Sequence, residues 1–467
     1  MTFKPLLLVM AMTLAGCSMI PDYQRPEAPI PQAFPQGAAD AQPQGTHTAQ
    51  IGWRSFFKDP ALHRLVDLAL ENNRDLRKAA LNVAAYRAQY GIQGSALLPQ
   101  VDIEGSGGRS RTPADLSSTG QQGTGGDNSL QVGLTRYELD VWGRIRSLDR
   151  NALETYLASE ETRRSVQIGL VAEVAMAYLS WETDKQLQAV TRSTLENYRH
   201  NLELIQASSE AGTASDLDVR QARTLVDSAR GQVQAYTRQV ALGANALRLL
   251  LGTSIPNDLP ESNLSGQLMA DIPAGLPANL LQQRPDIRAA EHQLLAANAN
   301  IGAARAAFFP SITLTAGAGT ASSQLSGLFN GGSEAWSFMP QIHLPIFTGG
   351  RLKASLDYAK IQKDMGVANY EQTIQVSFRE VSDGLAAMET WSEQLKSQQD
   401  LVRATDEYTQ MALQRYEEGV DSYMTLLDAQ RQLLSARQQL LNGHLSSLSA
   451  QIQLYKALGG GWTETKT

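Results

Sequence analysis

Cysteine is almost absent from this chain: Cys17 is the only one in 467 residues. A lone thiol closes no internal disulfide and leaves no second thiolate for a zinc site. The six histidines, at 47, 63, 200, 292, 343 and 444, stand singly, with no HExxH. There is no Walker loop and no GxSxG, and GSGGRS at 105–110 fails the dinucleotide pattern. These absences argue against an enzyme and against a bound metal or cofactor. Basic residues do not cluster, and 40 Lys and Arg against 47 Asp and Glu give a formal charge of -7, so a nucleic-acid partner is not expected. Past the N-terminus no apolar run approaches the roughly 20 residues of a membrane-spanning helix, which excludes a helical membrane protein.

Proline is missing where it matters. All 18 prolines lie outside two windows, 114–255 and 346–467. Proline costs about 3 kcal/mol inside a helix, so these Ala-, Leu-, Gln-, Glu- and Arg-rich tracts read as helical. In the first, Ala222, Val226, Ala229, Val233, Tyr236, Val240, Gly243, Leu247 and Leu250 step by four and three. In the second, Val420, Met424, Leu427, Arg431, Leu434, Gln438, Leu441, Leu445, Leu448, Ile452 and Tyr455 do the same. A sustained 3.5-residue period predicts coiled packing. Each tract is broken once, by EAGTASD at 210–216 and EEGVDS at 417–422, so each folds back as a helical hairpin.

What is present is present twice. QGSALLPQVDIEGSG at 93–107 lies over ARAAFFPSITLTAGA at 304–318 with an offset of 211. Gly143 and Arg144 fall on Gly350 and Arg351 at an offset of 207, and Gly212, Ser228 to Arg230, and Leu251 and Gly252 find partners at that same offset. The unit is therefore a duplicated structure and not a short solenoid repeat. Before each helical tract the period changes to two: Val101, Ile103, Gly105 and Gly107; Leu130, Val132 and Leu134; Ile312, Leu314, Ala316 and Ala318; Trp336, Phe338, Ile342, Leu344 and Ile346, interrupted by Pro340. Four strands of about 10 residues have the length of tilted membrane strands. Tyr137, Trp142, Trp336, Phe338 and Phe347 gather toward strand ends, as in an interfacial aromatic girdle. Four strands cannot close a barrel, and open edges are forbidden in lipid. Several copies must share one; spacing alone permits a dimer or a trimer.

At the N-terminus, Lys4, the apolar run Leu6–Leu14 and the ending Leu14, Ala15, Gly16, Cys17 form an export signal. The ending resembles a bacterial lipobox, which implies cleavage before Cys17 and a covalent lipid on it, N-acyl and S-diacylglycerol. Ser18, in place of an aspartate, points to the outer membrane of a Gram-negative bacterium. Expected boundaries are a signal peptide 1–16, a lipidated extended segment 17–60, a first repeat 61–252 and a linker 253–277. A second repeat 278–459 and a tail 460–467 follow. Strands are expected at about 100–112, 129–142, 311–323 and 336–347, and hairpins at 144–252 and 351–459.

Several long segments resemble the TolC-like outer membrane factors, and among them the OprM-type lipoprotein ducts of drug-efflux pumps: CSMIPDYQRPEAPIP, IGWRSFFKDPALHRLVDLALENNRDLR, LPANLLQQRPDIRAAEHQLLAANANIGAARAAFFPSI, LPIFTGGRLKASLDYAK and RYEEGVDSYMTLLDAQ. The resemblance implies a homotrimer sharing a 12-stranded β-barrel in the outer membrane, continued by a helical tunnel in the periplasm. It also implies an adaptor, the membrane fusion protein, and an inner-membrane transporter of the resistance-nodulation-division (RND) type as partners. Under this resemblance the hairpin turns form a periplasmic gate. Asp428 becomes a ring of three charges, with Met424 as an apolar constriction and Arg431 as an ion-pair partner, while Asp218 meets Tyr416 to hold the tip closed. Gly212, Thr213, Ala214, Gly419 and Val420 become the adaptor-docking surface; the glycines can equally serve turn geometry alone. Two other readings compete: the same duct serving a type I protein-secretion system, and a periplasmic coiled-coil scaffold lipoprotein without a pore.

Overall fold

The computed structural model describes residues 18–31, 34, 52–118, 120–260, 267–270 and 283–461. Cys17, the signal peptide, parts of the 17–60 segment and of the 253–277 linker, and residues 462–467 lie outside them. The helices are α1 (Trp53–Phe56), α2 (Pro60–Asn72), α3 (Arg74–Ser95), α4 (Arg144–Glu210), α5 (Asp216–Leu251), α6 (Pro285–Ala306), α7 (Arg351–Glu417) and α8 (Tyr423–Ala457). The strands are β1 (Val101–Thr112), β2 (Gly123–Leu139), β3 (Ser311–Ser322) and β4 (Glu334–His343).

The duplication is visible element by element. The helices α4 and α7 each have 67 residues and start 207 apart; α3 and α6 each have 22 and start 211 apart. Each long helix would extend about 100 Å at 1.5 Å per residue. The chain divides into two compact units, one of 1–27, 82–160 and 289–370, the other of 28–81, 161–288 and 371–467.

The first unit holds an antiparallel sheet in the order β1-β2-β3-β4, with the two repeats joined at β2 and β3. One face carries Val101, Ile103, Leu130, Val132, Ala316, Phe338 and Ile342, and the other carries Asp102, Glu104, Gln131, Thr313, Gln341 and His343. Trp336 and Phe338 are exposed, and β1 is exposed along its whole length. Among the described residues no helix is long and apolar enough to cross a membrane; the apolar face belongs to strands.

Two strand boundaries differ from expectation. The second strand begins at Gly123 because the Gly-rich run 123–128, expected in a loop, pairs with 107–112 through backbone groups that need no side chain. The fourth ends at His343 instead of 347 and runs straight through Pro340, which pairs with Leu314. The Ala321 N–H donates to the Ser333 carbonyl at 2.8 Å, and the alternation set by that bond turns the Pro340 nitrogen away from β3, so its missing donor removes nothing from this ladder. A bulge between Leu134 and Tyr137 leaves Arg136 at φ 54°, its N–H directed to Thr315 Oγ1 at 3.3 Å.

In the second unit, Trp53, Phe56, Phe57, Leu62, Leu65 and Val66 pack with Val171, Val174, Tyr178 and Leu179 of α4, Leu247 and Leu251 of α5, and Ile452 and Tyr455 of α8. Phe56 stacks on Tyr455 at 3.8 Å between centroids. Asp59 caps α2 by accepting from the N–H groups of Ala61 and Leu62 at 2.7 and 3.3 Å, with Pro60 in the first turn. Asn73 serves three partners. Its Oδ1 accepts from the N–H groups of Asp75 and Leu76, both at 2.9 Å, and its amide donates to the Leu250 carbonyl at 2.8 Å. Gly252 ends α5 at φ 65°, where a Cβ would lie 2.4 Å from the Asn72 carbonyl oxygen.

The heptad expectation holds in part. Ala222, Val226, Ala229 and Val233 are buried, after which the seam slides to Ala244, Leu247 and Leu251. On α8 the buried positions near the turn are Tyr423, Leu426 and Leu427, while Met424 and Val420 are exposed. The slide along α5 is geometric: a straight helix drifts about 20° per heptad relative to a 3.5 repeat; Val420 lies in the turn before α8 and Met424 in its first turn. Asn73→Ala removes a cap and orphans the Leu250 carbonyl; the expected loss is about 1–2 kcal/mol, read as a lower unfolding midpoint by circular dichroism in detergent.

Candidate functional site

The two hairpin turns, both in the second unit, are built to one plan. In the first, the Thr213 and Ala214 N–H groups donate to the Ser208 carbonyl at 2.8 and 3.2 Å; in the second, Val420 and Asp421 donate to Arg415 at 2.9 and 3.2 Å. Gly212 and Gly419 hold φ 74° and 73°. Those angles alone require glycine, and a Cβ at either would meet nothing within 4 Å. Thr213 and Val420 are exposed beside them and Ala214 is partly so.

On that common backbone the side chains differ. The first turn closes with a capping box: Ser215 Oγ accepts from the Asp218 N–H at 3.2 Å and Asp218 Oδ2 accepts from the Ser215 N–H at 3.1 Å. Ser209 donates to Asp216 at 3.3 Å. In the second turn the positions of Ser208 and Ala214 become Arg415 and Asp421, which form a two-pronged ion pair at 2.6 and 3.0 Å. The positions of Ser209 and Asp216 become Tyr416 and Tyr423, whose rings meet at 5.4 Å. Ser422 caps α8 without a side-chain bond. These partners escaped the sequence reading; reading the two turns against each other at the 207-residue offset would have found them.

The site residues named from sequence are distributed as follows. Asp218 and Tyr416 share the tip, but no hydrogen bond joins them: the Asp218 carboxylate is committed to its own capping box. The link is electrostatic, since burial first and then the Asp218 charge raise the Tyr416 hydroxyl above its ordinary value. Tyr423 is raised further, by burial and by the neighbouring Tyr416 and Asp218. Met424, Asp428 and Arg431 lie on the exposed side of α8, with Met424 half exposed. Asp428 accepts from Gln432 at 2.5 Å and makes no ion pair with Arg431 within the chain. Burial pushes the Tyr198 hydroxyl up to about 12 against the opposing Arg431 charge.

Beneath the tip two contacts tie the second hairpin to itself and one side chain, Gln438, ties it to the first. Arg437 pairs with Asp406 at 2.7 Å, Thr409 donates to the Ala429 carbonyl at 3.2 Å, and the Gln438 amide reaches both Thr191 and Gln232. Ile205, Ala222, Ala412, Leu426 and Leu427 fill the space between. Among the described residues no group of His, Cys, Asp or Glu could hold a metal.

Amphipathic strands with both edges open, on a chain whose described residues otherwise include two hairpins of long helices, fit the class of a channel-forming membrane protein. A sequence model of the outer membrane efflux protein family matches residues 65–253 and 276–460; the two matches begin 211 residues apart and end 207 apart, the offsets of the internal repeat. The toluene efflux pump outer membrane protein TtgF of Pseudomonas putida is 56% identical over 462 residues, covering 97% of this chain and 96% of its own. The antibiotic efflux pump outer membrane protein ArpC of the same species is 55% identical over 461 residues, 98% and 95% of the two chains. Among solved structures, the open state of the MtrE outer membrane channel of Neisseria gonorrhoeae matches with a TM-score of 0.88 at 36% identity, covering 97% of this chain and 100% of that one. The chain belongs to the outer membrane efflux protein family. It is a TolC-like duct of the outer membrane, and its work is conduction, not catalysis.

The Arg415 guanidinium holds the Asp421 carboxyl below the usual carboxylate range. A lowered folded value means that the pair contributes above the unfolded value, near 3.9, and is lost as pH falls through the lowered one. In Arg415→Gln the Asp421 carboxyl is expected to titrate back near 3.9, read by carbon NMR of the side chain.

Proposed function

We propose that this chain is the exit duct of a tripartite RND-type efflux pump, passively conducting drugs, solvents and other amphiphiles from the pump through the outer membrane. The observation that carries the reading is the sheet: an apolar face on four strands with two open edges, which lipid does not tolerate. Three copies close a barrel of twelve strands, and the open α-helical hairpins of three copies close the tunnel below it. The covalent lipid on Cys17, N-acyl and S-diacylglycerol, anchors the chain, two or more acyl chains being enough for stable attachment. Relatives of nearly equal identity are named for toluene and for an antibiotic, which supports a duct that leaves selection to the inner-membrane transporter. No relative reported above is named for protein secretion or for a scaffold.

The hairpin turns are the periplasmic gate. Three-fold symmetry turns Met424, Asp428 and Arg431 into rings on the exposed side of α8, where Asp428 favours cations and resists close approach of its own copies. Asp218 and Tyr416 hold the tip by charge and packing. The exposed backbone of Gly212, Thr213, Ala214, Gly419 and Val420 receives the adaptor, whose binding stabilises the open form and shifts the population toward it.

Removing the chain is expected to raise accumulation of an amphiphilic fluorescent dye in energised cells, and complementation to lower it; no change would sink the efflux reading. Asp428→Ala is expected to lower the cation selectivity of single channels in a planar bilayer, and unchanged selectivity would remove Asp428 from the gate.

A further inference from the structure

At the hairpin that joins β1 to β2, away from α3 and α4, the apolar face of the sheet is grooved. On the side of Val101 and Ile103, β1 continues as Gly105, Gly107 and Arg109, opposite Leu130, Asn128 and Gly126 of β2. A Cβ on Gly105 would lie 3.6 Å from Leu130 Cδ1 and one on Gly107 3.2 Å from Asn128 Oδ1, so both glycines leave open the space beside those side chains. The segment after β3 folds over the same face. A Cβ on Gly126 would collide with the Ser323 carbonyl oxygen, and one on Gly327 would lie 2.6 Å from the Oγ of Ser322, whose strand position is opposite Asn128. Between this segment and the strands remains an open groove of about 840 Å³, lined by Leu130, Leu325 and Leu328 and by Arg109, Asn128 and Gln324.

One end of the groove is apolar and the other cationic. Toward the helices it opens onto Ile103 and Val132, the next pair on the face. At the other end stands Arg109, exposed and, among the described residues, in no ion pair. Arg111, two residues on and on the same face, donates to the neutral Gln122 Oε1 at 2.8 Å. Asp127 of β2 is opposite Gly108, on the other face. In a protein of the outer membrane the apolar face meets lipid, and the strand ends remote from the periplasmic helices lie toward the outer leaflet. Arg109 is four residues beyond Gly105, about 14 Å along the strand and about 10 Å in height at a 45° tilt, which places it in the headgroup layer above the apolar band. We propose that the groove binds a phosphate-bearing glycolipid of the outer leaflet, with a phosphate on Arg109 and acyl chains over Leu130 and Leu325. A guanidinium matches phosphate with paired donors, Asn128 and Gln324 offer amides to sugar hydroxyls, and the apolar floor favours an amphiphile over free phosphate. Arg111, about 7 Å further along the strand, supplies a second cation for a second phosphate. The groove is made within one chain, so it stands whatever number of copies shares a barrel.

The test is a titration of the full-length protein in a non-ionic detergent, followed by native mass spectrometry. The probes are lipid A, a glycolipid with two phosphates, its dephosphorylated form, and inorganic phosphate as a competitor. Lipid A is expected to bind, and its dephosphorylated form to bind about ten-fold more weakly, the loss of roughly one charge-assisted hydrogen bond. Inorganic phosphate at the same concentration is expected not to displace it. Arg109→Ala is expected to weaken lipid A binding by a similar factor, with Arg109→Lys recovering most of it. Gly107→Phe, which fills the groove and leaves both arginines in place, is expected to weaken both lipids alike. Equal binding of the two lipids by the unmodified protein would overturn the phosphate site, whatever the variants do. Displacement of lipid A by inorganic phosphate would reduce the groove to an anion site and overturn the glycolipid. Unchanged binding in both Arg109→Ala and Gly107→Phe would place the lipid elsewhere on the chain and overturn the groove.

Discussion

A backbone amide in hydrocarbon must find a partner, and this chain presents rows of them without one. The two outer strands of its sheet have the apolar side chains for lipid and the unpaired edges that lipid excludes. Everything else follows from resolving that conflict. On the shared-barrel reading proposed above, four strands per chain suffice, and exposed apolar groups such as Ile346 and Phe347 are ones that assembly would cover.

The duplication gives each copy two similar halves, and their differences are concentrated at the turns. One backbone design is closed in the first turn by a serine and aspartates that serve the helix start, and in the second by an arginine, an aspartate and two tyrosines that serve one another. The first set is local and would hold in an isolated hairpin. The second brings ring and charge to the place where neighbouring helices meet.

Much of this was legible in the residues. Proline's absence marked the helices, because a missing N–H is intolerable there; alternation marked the strands, because a sheet with two different faces must have it. The failures are instructive for the same reason. The run Gly123–Asn128 reads as loop from side chains, yet pairing is made by the backbone. Pro340 reads as a break, yet its nitrogen faces away from the neighbour within the chain. Asp218 was expected to meet Tyr416; it lies at the same tip, with its carboxylate taken up by the Ser215 capping box. Met424 fitted the heptad and is exposed in the first turn of α8. Met424, Asp428 and Arg431 of α8 are exposed in this chain, and an exposed helix face carries no periodic trace of what it meets.

The two 67-residue helices bear on how such a protein can change over time. Adding one residue to either would rotate everything beyond it by about 100° and advance it by 1.5 Å, moving a turn off its neighbours and a seam off its groove. Substitution is cheap along these arms and insertion is not. The two halves differ at most positions, with a serine pair in one standing where the other has an arginine and a tyrosine, and with a longer second strand in one than in the other, yet each keeps a helix of 67 residues before its turn.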